Sequence, residues 1–300
     1  MDIGVEGLIG GSVMIDANTK LCALIGNPVG HSLSPALHNA AFRELGLNYA
    51  YLAFKVEDLA KAVAGIRALG IKGVSVTIPH KVQVMEYLDE IDATARKIGA
   101  INTILNTDGR LQGYNTDSSG ALQALEDAGV SFAGKKILIL GSGGAARAVA
   151  FGLAAHSSIE LLTILGIIED ELKSLQGDLA KKGELAISAE LLSQSFLEKV
   201  VSDADLVINC TPVGMHPEVD RSVISSGLLQ KGQVVFDVVY NPLKTKLLRE
   251  AEEAGCRVIS GVEMFVNQAA AQFELWTGKK APVKIMRKVV EKALKLQIAK

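Results

Sequence analysis

The sequence predicts an α/β protein with two units, each built around its own sheet. From Lys20 onward, short apolar runs alternate with helix-like segments bounded by Gly, Pro and Asn. At Lys135 the pattern changes. Lys135–Leu140 is an apolar strand that runs into Gly141-Ser142-Gly143-Gly144-Ala145-Ala146 and then a small-residue helix. Val/Ile/Leu-rich runs follow at Leu161–Leu165, Asp205–Cys210 and Val234–Val239, with helical segments between them. Continuous apolar strands of this kind belong to a parallel sheet covered on both faces.

In chain order, residues 1–18 are Gly-rich and aperiodic, and read as a leader. Leu21–Gly26 is a buried strand stopped by Asn27-Pro28. A helix follows through Leu45, with Ser34 as N-cap, Pro35 at the first helical position and Gly46 as the stop. Tyr49–Val56 is a strand, Asp58–Leu69 a helix closed by Gly70, and Ile71–Ile78 a strand ended by Pro79. A helix is expected from about Lys81 to Ile91. Ile101–Leu105 and Arg110–Tyr114 flank Asn106-Thr107-Asp108-Gly109, a hairpin signal. Another helix starts near Asp117. Val262–Trp276 and Val283–Gln297 read as two final helices.

The balance of 31 basic and 33 acidic residues leaves a formal charge of −2. That argues against coating nucleic acid or an anionic membrane, so an anionic ligand must be held by local groups. An apolar fraction of 49% excludes disorder as the main theme. Cys22, Cys210 and Cys256 are odd in number, far apart and in apolar stretches, which suits buried thiols in a reducing compartment and no metal site. No basic residue precedes Lys20, and no run reaches the roughly 18 apolar residues of a membrane span. A cytoplasmic protein acting on small molecules is expected, with no nucleic-acid or membrane partner.

Gly141–Ala146 lies between a strand and a helix, the context in which backbone amides close on a pyrophosphate. The next strand should end in an acid for a ribose 2′-hydroxyl or an Arg for a 2′-phosphate. It ends instead in Gly166-Ile167-Ile168, and Glu169 and Asp170 equally suit the acidic first turn of a helix, so NAD and NADP both stay open. In the first unit, Ser32 and Ser34 flank the mouth of a helix. Ser34 alone would be an ordinary cap; two hydroxyls with the helix dipole would hold a small carboxylate. Lys81 follows a strand end and Asp117 opens a helix; taken singly, each reads as a surface group. A lone histidine beside a proline, as at His80, is more often structural.

These strings resemble the shikimate dehydrogenase family. They are Gly26-Asn-Pro-Val-Gly-His-Ser-Leu-Ser-Pro35, Val76-Thr-Ile-Pro-His-Lys81, Gly99-Ala-Ile-Asn-Thr103, Gly113-Tyr-Asn-Thr-Asp117, Gly141-Ser-Gly-Gly-Ala145, Asn209-Cys-Thr-Pro-Val-Gly-Met215, Asp237-Val-Val-Tyr240 and Gly261–Gln268, in the family's order. The resemblance implies reversible NADPH-dependent reduction of 3-dehydroshikimate to shikimate in aromatic amino-acid biosynthesis. It implies a substrate-binding domain over 1–117, a Rossmann-like NADP-binding domain over 118–261, and helices over 262–300 that pack back on the first domain. Lys81 and Asp117 would be the catalytic pair. Ser32 and Ser34 would bind the substrate carboxylate, and Thr77, Asn102, Gln268 and Tyr240 would contact the ring. Gly141, Ser142, Gly143, Gly144, Ala145, Thr211, Val238 and Gly261 would line the cofactor. The family's Asn-Arg-Thr phosphate clamp is replaced by Gly166-Ile167-Ile168, with Glu171 where a further base is expected, so NAD is a rival cofactor. The alternatives are an NAD-linked quinate/shikimate dehydrogenase and a silent dinucleotide-binding regulator. A monomer or a homodimer is expected.

Overall fold

The computed structural model describes residues 15–181 and 185–298, so most of the expected leader lies outside the described residues. The first of two six-stranded sheets comprises β1 (Lys20–Gly26), β2 (Tyr49–Lys55), β3 (Gly73–Val76), β4 (Glu90–Ile91), β5 (Thr103–Thr107) and β6 (Arg110–Tyr114), in the order β2-β1-β3-β5-β6-β4. Parallel β1, β2 and β3 are connected through α1 (Ser34–Glu44) and α2 (Leu59–Ala68). Strand β5 runs antiparallel to both neighbours. Asp108 and Gly109 join β5 to β6 with φ of 52° and 88°, the two left-handed residues of a tight hairpin turn.

The second sheet comprises β7 (Lys136–Leu140), β8 (Leu161–Gly166), β9 (Ile187–Leu191), β10 (Leu206–Asn209), β11 (Val234–Asp237) and β12 (Arg257–Ile259). All its pairings are parallel, in the order β12-β11-β10-β7-β8-β9. Alternate residues of β7 feed two cores. Ile137 and Ile139 meet α5 (Gly144–Leu153) and α6 (Glu169–Ala180); Leu138 and Leu140 meet α7 (Gln194–Asp203) and α8 (Lys246–Glu253). From β7 the chain winds outward through β8 and β9, then crosses back to β10 on the other side of β7, so the C-terminal ends of β7 and β10 form the crevice where such sheets bind ligands.

Between the sheets lie α3 (Ala93–Ile98) and α4 (Thr116–Asp127), and the chain closes with α9 (Gly261–Thr277) and α10 (Val283–Ile298). The expected boundary after residue 117 falls in the first turn of α4. Val266, Phe273 and Trp276 of α9, with Met286 and Val290 of α10, share one core with Leu37, Phe42 and Tyr51. The last helices thus complete the core over the first sheet.

Two local expectations need correction. The helix expected over 81–91 is a single 3₁₀ turn at Gln83–Tyr87 followed by β4. Glu90 and Ile91 pair with Gln112 and Gly113 at the sheet edge, and that long-range pairing satisfies backbone groups a helix would have paired internally. Ser34 is not the N-cap of α1: the cap position is Leu33, with no side-chain bond. The short edge strands β9 and β12, and the six-residue α3, carry too little periodicity to be read from sequence.

Candidate active site

Beyond β3 the chain turns through Thr77–His80 and presents Lys81. Buried His80 has Nε2 3.0 Å from the Val56 carbonyl, which anchors the turn and keeps this histidine structural. Opposite, Asn115 caps α4: its Oδ1 accepts from the amides of Asp117 and Ser118 at 3.1 and 3.4 Å. Asp117 therefore sits in the first turn, where the helix dipole favours an acid. Lys81 Nζ donates to Asp117 Oδ2 at 2.6 Å, with the two side chains 20% and 10% exposed. Asn102 Nδ2 donates to the other oxygen, Oδ1, at 2.8 Å, while Asn102 Oδ1 accepts from the Thr116 amide at 2.8 Å.

From Asn102 a polar chain leads to the two serines. Gln272 of α9 donates from Nε2 to Thr103 Oγ1 at 2.9 Å and to the Asn102 carbonyl at 3.2 Å. Its Oε1 accepts from Ser75 Oγ at 2.7 Å, and Ser75 Oγ accepts from the Tyr51 hydroxyl at 2.6 Å. The Tyr51 hydroxyl also interacts with Ser34. Ser32 Oγ donates to Ser34 Oγ and accepts from the Ser34 amide, both at 3.2 Å. Ser32 therefore serves the start of α1, a task the sequence pattern assigns to Ser34. Gln272 and Tyr51 were missed by sequence reasoning; the one available signal is that Gln272 lies one turn beyond Gln268 on a mostly apolar helix. Fully buried His38 stacks on Tyr51 at 4.5 Å, and burial pushes its pKa down to about 3.

The remaining substrate candidates are less tightly joined. Gln268 donates to the Phe265 carbonyl at 2.8 Å, and Tyr240 stacks on the Phe265 ring at 4.3 Å, so both gather at α9. Burial raises the Tyr240 phenol above its usual range. Thr77 lies against Gly26 and is held through its amide to the Ile25 carbonyl at 3.0 Å.

The crevice of the second sheet fits a dinucleotide. Gly141 has φ +110°, and a Cβ there would stand 3.1 Å from the Cys210 carbonyl oxygen. Gly143 is the N-cap of α5 and brings no side chain, so no side chain caps the first-turn amides that a diphosphate would meet. Thr211 donates to Asn209 Oδ1 at 2.7 Å, and Asn209 donates to buried Asp237 at 2.9 Å, tying the ends of β10 and β11 together. Burial pushes the Asp237 carboxyl up to about 6. A Cβ on Gly261 would lie 2.4 Å from the Val238 carbonyl oxygen, so α9 starts in close contact with this rim. Gly144 faces the ion pair: a Cβ there would be 3.8 Å from Lys81 Cδ.

Residues 24–104 match the shikimate dehydrogenase substrate-binding domain, a span containing Ser32, Ser34, Thr77, Lys81 and Asn102. Residues 261–291 match the shikimate 5′-dehydrogenase C-terminal domain, which contains Gln268 and Gln272. A curated relative from Moorella thermoacetica, shikimate dehydrogenase (NADP(+)), is 48% identical over 284 residues, covering 94% of this chain and 96% of that protein. The chain belongs to the shikimate dehydrogenase family. A crystal structure of shikimate dehydrogenase in complex with NADP+ superposes with a TM-score of 0.86 at 41% identity, covering 94% of this chain and 98% of the other. A Listeria monocytogenes shikimate 5-dehydrogenase in complex with shikimate and NAD superposes with a TM-score of 0.84 at 37% identity, covering 92% and 98%. The family's arrangement of a substrate-binding domain and a Rossmann-like domain accounts for the two sheets.

Proposed function

We propose that this protein is a shikimate dehydrogenase, an oxidoreductase that reversibly reduces 3-dehydroshikimate to shikimate in aromatic amino-acid biosynthesis. The observation that carries the reading is the Lys81–Asp117 pair, set 2.6 Å apart and facing Gly144 of the dinucleotide crevice. Its NADP(+)-named relatives make NADP(H) the family cofactor. Gly141–Ala145 and the loops at Thr211, Val238 and Gly261 would hold it.

When bound, the reduced nicotinamide supplies hydride to the ketone carbon. Negative charge then develops on the ketone oxygen, and Lys81 Nζ donates a proton to it. Asp117 fixes the direction of the ammonium, and Asn102 fixes the carboxylate in turn. Ser32 and Ser34, at the positive end of α1, hold the substrate carboxylate with hydroxyl donors alone. Thr77, Asn102, Gln268 and Tyr240 contact the ring and its hydroxyls. Free thiols at Cys22, Cys210 and Cys256 support a reducing, cytoplasmic setting.

The test is nicotinamide absorbance with shikimate and with quinate as the alcohol. Turnover with shikimate at much higher kcat/KM is expected. Equal or better use of quinate would assign the pocket to the quinate-linked branch. No turnover with either would leave a dinucleotide-binding protein without this activity.

A further inference from the structure

In a doubly wound dinucleotide-binding sheet, the end of the second strand meets the adenosine ribose. A carboxylate there accepts from the free 2′-hydroxyl, whereas a guanidinium clamps a 2′-phosphate. The second strand here is β8, which ends at Gly166. Ile167 and Ile168 follow, 79% and 49% exposed, and neither side chain can donate to a phosphate. Helix α6 then opens with Glu169, Asp170 and Glu171 in its first turn.

Glu171 is tied to the phosphate loop. Its Oε2 accepts from Ser142 Oγ at 2.8 Å, and Ser142 is the second residue of the Gly141–Ala145 loop. Gly166 closes the third side, since a Cβ there would stand 2.8 Å from Ser142 Oγ. Strand end, loop and helix thus meet around one carboxylate. The first cation along α6, Lys173, is engaged by Glu169 at 2.5 Å.

We propose that Glu171 makes this a site for the unphosphorylated ribose, so that NAD(H) binds at least as tightly as NADP(H). The inference rests on the dinucleotide-binding reading above and deepens it. Glu171 accepts from the ribose 2′-hydroxyl and repels a 2′-phosphate, which would bring further negative charge beside a carboxylate that no Lys or Arg pairs among the described residues. Discrimination then comes from a repulsive element together with an attractive one.

Isothermal titration of the whole chain with NAD+ and with NADP+, without substrate, reads this as a ratio of dissociation constants. The expected NAD+ constant is equal to or below that for NADP+. Glu171→Gln should move the ratio several-fold toward NADP+. Ile167→Arg with Glu171→Arg should move it about ten- to a hundredfold, since charge-assisted phosphate contacts are being introduced. Thermal melts establish that both variants are folded; Glu171 is exposed, and the milder Gln variant stands by itself if the double variant does not fold. Tenfold or greater preference of the unmodified chain for NADP+ overturns the inference and leaves the proposed function standing. An unmoved ratio in a folded variant overturns it as well. Absence of binding by either dinucleotide overturns both.

Discussion

Asn102 donates to Asp117 Oδ1 at 2.8 Å while Lys81 donates to Oδ2 at 2.6 Å, so one carboxylate is shared between an amide and an ammonium. The amide sets the plane of the carboxylate, and the carboxylate sets the direction of the lysine. Rotation of any one member disturbs the other two.

Lys81→Ala and Asp117→Ala should each lower turnover by about two to four decades, the usual range for groups that move protons. The double variant should lose little more than the worse single one, because the two act as a unit. Single-turnover rates with saturating dinucleotide measure this, and near-normal turnover in Lys81→Ala would remove the lysine from the mechanism.

Ser32→Ala and Ser34→Ala should raise the KM for shikimate with kcat nearly kept, the pattern of lost uniform binding. Stability should separate them. Ser32 accepts from the Ser34 amide, so Ser32→Ala should cost about 1 kcal/mol, whereas Ser34 caps nothing and its loss should cost less. Steady-state kinetics paired with denaturant melts give both numbers, and an unchanged KM in the double variant would leave the serines as structural residues only.

Gly120→Ala tests the contact between α4 and α9. A Cβ at Gly120 would lie 2.8 Å from the Gln268 amide nitrogen and 2.9 Å from Gln268 Cβ. Backbone must move apart to admit it, at a cost of about 1–3 kcal/mol for overpacking. Because α4 carries Asp117 and α9 carries Gln268, turnover should fall in the folded fraction too. Full activity at native stability would show that the helices separate freely.

His38 gives the fold a pH dependence of known sign. Burial lowers its pKa from 6.5 to about 3, so the native state prefers the neutral ring. Between these values the unfolded chain binds the extra proton, and stability falls as pH drops from about 6.5 toward 3. The contribution is fully present above pH 6.5 and amounts to about 5 kcal/mol at most. Urea melts of the wild type and of His38→Phe at pH 7, 6, 5 and 4 should diverge in slope. Parallel curves would mean that the buried ring takes up its proton without resistance.

Much of the second sheet is legible in the sequence because its central strands are unbroken apolar runs and its first turn is made of glycines. The chemistry is harder to read. Lys81 and Asp117 stand 36 residues apart, each at the end of an ordinary element, and no local pattern announces that they touch. Gln272 reaches Ser75 across 197 residues, so its role exists only once α9 has returned to the first sheet. Ser32 and Ser34 are a subtler case: both residues are visible, but which one serves the helix start depends on one turn of backbone. The helix expected over 81–91 fails for the same non-local reason, since the partner strand comes later in the chain.

The shared core of the first sheet also bears on how the chain is made. Leu37, Phe42 and Tyr51 leave the ribosome early, yet the side chains that cover them belong to Val266, Phe273, Met286 and Val290. At synthesis rates of about 5–20 residues per second, the interval is roughly 10–40 s. The intervening nucleotide-binding segment has its strands contiguous and can close during that wait. A cofactor half that closes in that interval would stand beside an uncovered apolar face, and this is when a holding chaperone would have most to grip.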